Sequence, residues 1–157
     1  MSTPFIILVL VATAFNGILA GASLDQSIKQ LPARHKIGVV AYSVYSQASD
    51  LGNGVAWYAI IGVGAALLTI IAALVAFFQR NNLVPATPIY VAAVLSILHS
   101  LMTTQAAPTM FSQRRHAQDE AALTEIFNRF ERWQTLRAVF QVLTFGVLLW
   151  AIATYLR

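Results

Sequence analysis

"LGNGVAWYAIIGVGAALLTIIAALVAFF", residues 51 to 78, contains no charged side chain. As an α-helix at 1.5 Å per residue it rises about 42 Å, more than the ~30 Å hydrocarbon core of a bilayer. Its apolar residues show no alternation of period two, so the stretch reads as a helix and not as a strand. In lipid every backbone N–H and C=O has to be satisfied within the protein, which leaves helices and closed barrels as the only spanning structures. This one segment therefore predicts a transmembrane helix, and the fold depends on how many others accompany it.

Three more stretches qualify, giving spans at about 5–27, 51–78, 88–107 and 133–155. Pro4 stands where a helix starts. Asp25 and Lys29, four apart, suit one face of a continuation of the first helix that stops near Pro32. "QRNNLVPATP" (79–88) reads as a polar turn, and Pro108 ends or kinks the third helix. Trp57, Tyr58, Trp133 and Tyr155 lie toward span ends, where aromatic belts form. Between the third and fourth spans, "SQRRHAQDEAALTEIFNRFER" (112–132) places Leu123, Ile126, Phe127 and Phe130 at helical spacing. Trp133 continues that stripe, so the segment predicts an amphipathic helix covering the bundle end. "ILAGA" (18–22) resembles a signal cleavage site, but the preceding residues carry no positive charge and the apolar run is too long, so the helix is read as retained.

Composition agrees. Of 157 residues, 58% are hydrophobic and 10% charged, against about 25% charged in a soluble domain. The expected architecture is all-α: a single integral membrane domain, residues 1–157, forming a four-helix antiparallel transmembrane bundle with an amphipathic cytoplasmic helix before the fourth span. Lys29, Arg34 and Lys36 lie in the first connection, and Arg114, Arg115, Arg129 and Arg132 in the third. Arg80 and Arg157 are the only cations on the other side. The positive-inside rule then puts both termini outside, in a cell inner membrane, and the long connections in the cytoplasm. With most of the chain committed to lipid, nucleic acid is not an expected partner. The chain has no cysteine, which removes disulfides, thiolate nucleophiles and Cys-based metal sites. No internal repeat supports an inverted-repeat transporter.

Polar residues inside spans are the candidate functional groups, because they are costly in lipid and turn inward. Counting from the outer helix ends at 1.5 Å per residue puts Asn16 and His99 about 16 Å deep, with Thr69 and Thr144 near the same plane and Gln141 one turn further in. A second layer, about 25–30 Å from that plane, holds Asp25, Asp50, Asn53, Thr104, Gln105 and Arg137. Arg137 is expected to pair there with Asp25 or Asp50, since an unpaired charge near lipid costs at least a few kcal/mol. Gly17 and Gly21 form a GxxxG spacing that permits close packing within the chain.

The chemistry that remains is limited. His99 is the only histidine within a span, so bis-histidine haem and multi-histidine metal centres lack a ligand set, and no metal or other cofactor is expected. A neutral imidazole in an apolar pocket can take a proton from an acidic carbon or a phenol. The resulting carbanion can react directly with dioxygen.

Three stretches bear on family. "GILAGASLDQSIKQLPARHKIG" (17–38) resembles the end of the first helix in the anthrone oxygenase-like membrane proteins. "QAAPTMFSQRR" (105–115) resembles their proline-containing exit from the third helix, and "RFERWQTLRAVFQVLTFGVLLWAI" (129–152) their Arg-Trp approach to the fourth. The resemblance implies a compact four-helix membrane bundle and, as in a few characterised members, oxygenation of anthrones to anthraquinones without an obvious cofactor. Most members have no assigned activity. The family often carries a histidine where this chain has Arg137, so either His99 takes that role or catalysis is lost.

The leading expectation is an intrabundle pocket for a lipophilic aromatic or quinone-like molecule. His99 is the base and Arg137 stabilises developing negative charge. Asn16, Gln141 and Thr144 orient the substrate, and Asp25, Asp50 and Gln105 complete the candidate contacts. The alternative is a non-catalytic binding or assembly subunit, as a homo-oligomer or with a membrane-complex partner.

Overall fold

The computed structural model describes residues 3–79 and 86–155, so most of the expected 79–88 turn, together with Arg80 and Arg157, lies outside the described residues. Of the described residues, 95% are helical and none is in a strand. In chain order the helices are α1 (Thr3–Asp25), α2 (Leu31–Ile37), α3 (Val39–Ala48), α4 (Gly54–Phe78), α5 (Thr87–Ser112) and α6 (Glu120–Tyr155). π-helical turns at Gln26–Gln30 and Ser49–Asn53 join α1 to α2 and α3 to α4, and a 3₁₀ turn at Gln113–Arg115 ends α5. These merge into four helical rods long and apolar enough to cross a membrane: Thr3–Ile37, Val39–Phe78, Thr87–Arg115 and Glu120–Tyr155.

Each expected span lies within one rod, but the rods are longer than the spans. Glu120–Tyr155 alone has 36 residues, about 54 Å of helix against a ~30 Å hydrocarbon core. The surplus turns form a headpiece at one end. The first connection, read from sequence as a loop beyond Pro32, is helical on both sides of that proline. Pro32 has no N–H for the carbonyl four residues back, and its ring clashes there in a regular helix. The widened turn just before it absorbs the misfit, with the Leu31 N–H bonding the Gln26 carbonyl five residues back. The reversal comes instead at Gly38, whose φ of 85° and ψ of 150° only glycine adopts without strain. Pro108 likewise does not end the third helix, because α5 continues to Ser112.

The headpiece has its own core. Tyr42 of α3 packs edge-on against Phe127 of α6, with centroids 5.0 Å apart, among Leu31, Met110, Leu123 and Phe130. The stripe read from sequence in 112–132 thus has Leu123, Phe127 and Phe130 fully inside. Arg34, 2% exposed, is held by the Leu31 carbonyl, Asn128 and an ion pair with Glu131 at 2.7 Å. Gln113 accepts from Ser43 at 2.9 Å and donates to Ser46 at 3.2 Å.

Along the rods, α1 packs on α4 and α6, while α5 packs along α6. Phe5 meets Tyr155, Asn16 meets Gln141, and Ser23 meets Gln134. Two glycines allow close approach. A Cβ at Gly17 would stand 2.9 Å from Phe145, and one at Gly64 2.7 Å from Phe15. Gly21 meets nothing, so only half of the GxxxG spacing works within the chain. Outward-facing side chains are large and apolar, including Ile18, Ile60, Val94 and Leu143, while Asn16, Thr69, Gln134 and Gln141 are buried. This inversion of the soluble pattern is what a lipid-facing exterior requires.

Candidate functional site

The buried polar groups fall into two sets. In the first, Asn16 of α1 donates from Nδ2 to the Thr69 hydroxyl of α4 at 2.9 Å and to its own Ala12 carbonyl at 2.8 Å. Gln141 of α6 donates to the Asn16 side-chain oxygen at 2.8 Å and to its backbone oxygen at 3.1 Å. Thr69 in turn donates to Ala65 at 2.7 Å. All three side chains are essentially inaccessible. An amide held from both ends is a helix clamp: its donors and acceptors are used, and nothing remains to orient a ligand.

The second set lines a cavity of about 470 Å³ between α4, α5 and α6, with residues of the two π turns in its wall toward the headpiece. His99 reaches into it from α5, Arg137 from α6, and Tyr58 from α4. Gln26 and Asp50 enter from the π turns, and most of the remaining wall is apolar. His99 is 7% exposed, and its Nδ1 lies 3.0 Å from the Arg137 carbonyl oxygen. A carbonyl only accepts, so Nδ1 carries the proton and the neutral ring keeps its lone pair on Nε2. No hydrogen bond engages Nε2 among the described residues. The Arg137 guanidinium makes no hydrogen bond or ion pair among those residues, and its Nε is fully buried. Asp50 faces the same cavity and accepts from Gln26 at 3.2 Å.

The expected site is thus divided. His99, Arg137 and Asp50 come together, whereas Asn16 and Gln141 belong to the clamp. Thr144 is buried, but its hydroxyl returns to its own Phe140 carbonyl at 2.7 Å. The expected pairing of Arg137 with Asp25 or Asp50 does not form among the described residues: Asp50 faces the same cavity without an ion pair to Arg137, and Asp25 is ion-paired with Lys29 one turn on, at a half-exposed position. Gln105 is exposed and absent from the cavity wall. Asn53 and Thr104 also point outward. The layer that was to hold Asn16, His99, Thr69 and Thr144 together is corrected, since His99 sits with Arg137 instead.

Sequence reading missed Gln26, Tyr58, Ser100 and Thr103. Ser100 is next to His99 and Thr103 lies four residues on, and they bond the Ser96 and His99 carbonyls, the usual fate of a hydroxyl in an apolar helix. Tyr58 read as a belt residue. Gln26 and Asp50 occupy the π turns, a feature often found at functional sites. Pro32 gave a signal for the first turn, and the glycines at 52 and 54 gave one for the second.

Among the described residues no three His, Cys, Asp or Glu side chains assemble to hold a metal ion. The cavity offers one imidazole base, one unpaired guanidinium and a carboxylate in an apolar enclosure, an arrangement suited to accepting a proton from an apolar acid and holding the anion. No family model, curated protein or solved structure matches the chain.

Proposed function

We propose that this chain is a multi-pass inner-membrane protein, an antiparallel four-helix bundle with both termini outside and the headpiece cytoplasmic, whose cavity takes a lipophilic aromatic or quinone-like molecule. The activity is anthrone-oxygenase-like. One observation carries this: a free imidazole Nε2 and an unpaired guanidinium face the same apolar cavity.

The residues divide the work. His99 Nε2 takes a proton from the acidic ring carbon of an anthrone. The electron pair moves onto the carbonyl oxygen, where the Arg137 charge stabilises it; in a dry site such an interaction is much stronger than in water. The carbanion forms a carbon–oxygen bond with dioxygen, and the peroxide recovers the proton from His99. Loss of water with the remaining ring hydrogen leaves the second carbonyl. Each anthrone thus consumes one dioxygen and releases one water. The test is oxygen uptake by purified protein in lipid nanodiscs. His99→Gln is expected to lower turnover by about 10²–10⁴, the usual worth of a positioned base. Undiminished turnover in a folded variant overturns the assignment.

A second reading, a non-catalytic assembly subunit, is supported by Gly21. It is exposed, meets no side chain, and lies beside the outward-facing Ile18 and Leu24. That reading expects Gly21→Leu to abolish self-association or partner co-purification and to leave the cavity unaffected.

A further inference from the structure

The two halves of α4 differ. Its buried residues are Ala65, Thr69, Ala72 and Ala76, so nothing between Gly54 and Gly64 is buried. The second half is pinned by the clamp at Thr69 and by Ala72 and Ala76, which pack with Phe5, Val9 and Ile89. The first half follows the break at Gly52, with φ −92° and ψ −116°, and stands away from the bundle.

The cavity lies under that first half, and its walls are unequal. The deep side is made of buried groups: Leu19 of α1, His99 of α5 and Phe130 of α6. The opposite rim consists of side chains that line the cavity and are also exposed: Val55 (37%), Val63 (58%) and Leu67 (53%) of α4, and Phe111 (40%) of α5. Gly62 sits on this rim, where an added Cβ would meet nothing within 4 Å. All of these rim residues are apolar or glycine, and four lie within a segment that holds no charge from Leu51 to Phe78.

We infer that the cavity opens sideways, between the first half of α4 and the second half of α5, into the hydrocarbon of the bilayer, and that its ligand is a tailed phenol whose hydroxyl head lies at His99 and Arg137 and whose hydrocarbon chain leaves through this opening. The inference rests on the reading of the cavity as a site for a lipophilic aromatic molecule, and gives that molecule a hydroxyl head and a hydrocarbon tail. A polar head suits the deep end, where an unpaired cation and a free imidazole nitrogen stand. An apolar chain suits a rim whose exposed side chains, Val55, Val63, Leu67 and Phe111, are apolar. A ligand already dissolved in lipid needs no aqueous route.

Chain length separates an open side from a closed chamber without any mutation. A tail that stays in hydrocarbon before and after binding adds nothing to affinity, whereas a closed 470 Å³ chamber rejects long tails. The probe is a series of para-alkylphenols from butyl to hexadecyl, in phosphatidylcholine nanodiscs carrying the full-length protein, with affinity expressed per mole fraction in the membrane. Affinities are expected to agree within about threefold across the series, less than the tenfold that 1.4 kcal/mol would produce. A fall of about tenfold or more beyond some chain length, the mark of an enclosed site, overturns the lateral opening while leaving the functional reading intact. Gly62→Phe fills the rim and is expected to slow association of the hexadecyl probe about tenfold or more, against a small change for the butyl probe. Equal slowing of both, or of neither, also overturns it. If no alkylphenol of any length binds the wild-type protein, the tailed-phenol ligand is overturned, while oxygen uptake with anthrones remains the separate test of the functional reading.

Discussion

The Asn16 clamp and the His99 cavity lie in the same bundle and treat polar groups in opposite ways. In the clamp the helices are tied through their amides: Gln141 donates to both oxygens of Asn16, and Asn16 donates to Thr69. In the cavity His99 and Arg137 keep an unengaged nitrogen and an unpaired guanidinium. In an apolar interior an unmet donor or acceptor is expensive, so the clamp is what stability alone would select. A site that leaves such groups unmet forgoes stability, and that cost makes sense if a ligand meets them. The comparison separates residues that hold the helices from residues that act on what enters.

The contrast can be broken experimentally. The largest expected effect is on chemistry. His99→Gln should reduce turnover by the factor given above, yet shift unfolding by no more than about 0.5–1.5 kcal/mol, the net worth of one hydrogen bond. Turnover and reversible unfolding measured on one preparation check both; a large loss of stability would move His99 into the clamp class. Asn16→Ala should behave in reverse, destabilising by about 1–3 kcal/mol because the buried Gln141 and Thr69 lose their partner, with turnover per folded molecule unchanged. Gly64→Leu drives a side chain into Phe15 and should cost about 1–3 kcal/mol, tightening the case that α1 and α4 are locked at this level. A double-mutant cycle between Asn16 and Gln141 should give a coupling of about 0.6 kcal/mol and no more than about 1.7, as membrane hydrogen bonds do. The smallest effect is at Gln105. Gln105→Ala should stay within about 0.5 kcal/mol in stability and leave alkylphenol binding unchanged.

Gln105 and His99 show where sequence reading reached its limit. Depth along each helix, taken from its end, holds across the bundle only if the helix ends lie in one plane. Pairing His99 with the Arg137 carbonyl places α5 about two turns deeper against α6 than such a count assumes. The stagger moved His99 from the Asn16 layer to the Arg137 layer. Gln105 failed for a different reason: depth says nothing about rotation, and on α5 it faces away from His99. Asp25 was given a long-range partner when Lys29, four residues on, was already within reach. Pro32 was read as a stop because a regular helix cannot carry it there, whereas a π turn can.

What the sequence determined by itself is the number and place of the long apolar helices, together with the inward turn of Asn16, His99 and Gln141. Uninterrupted apolar runs admit little else, and unmet polar groups are costly wherever they face apolar surroundings. Only the tertiary structure decided which of these polar groups complete one another and which are left open to a cavity. That depends on the axial stagger and rotation of one helix against the next, set by side-chain packing such as Gly17 on Phe145 and Gly64 on Phe15, and no count along a single helix contains it.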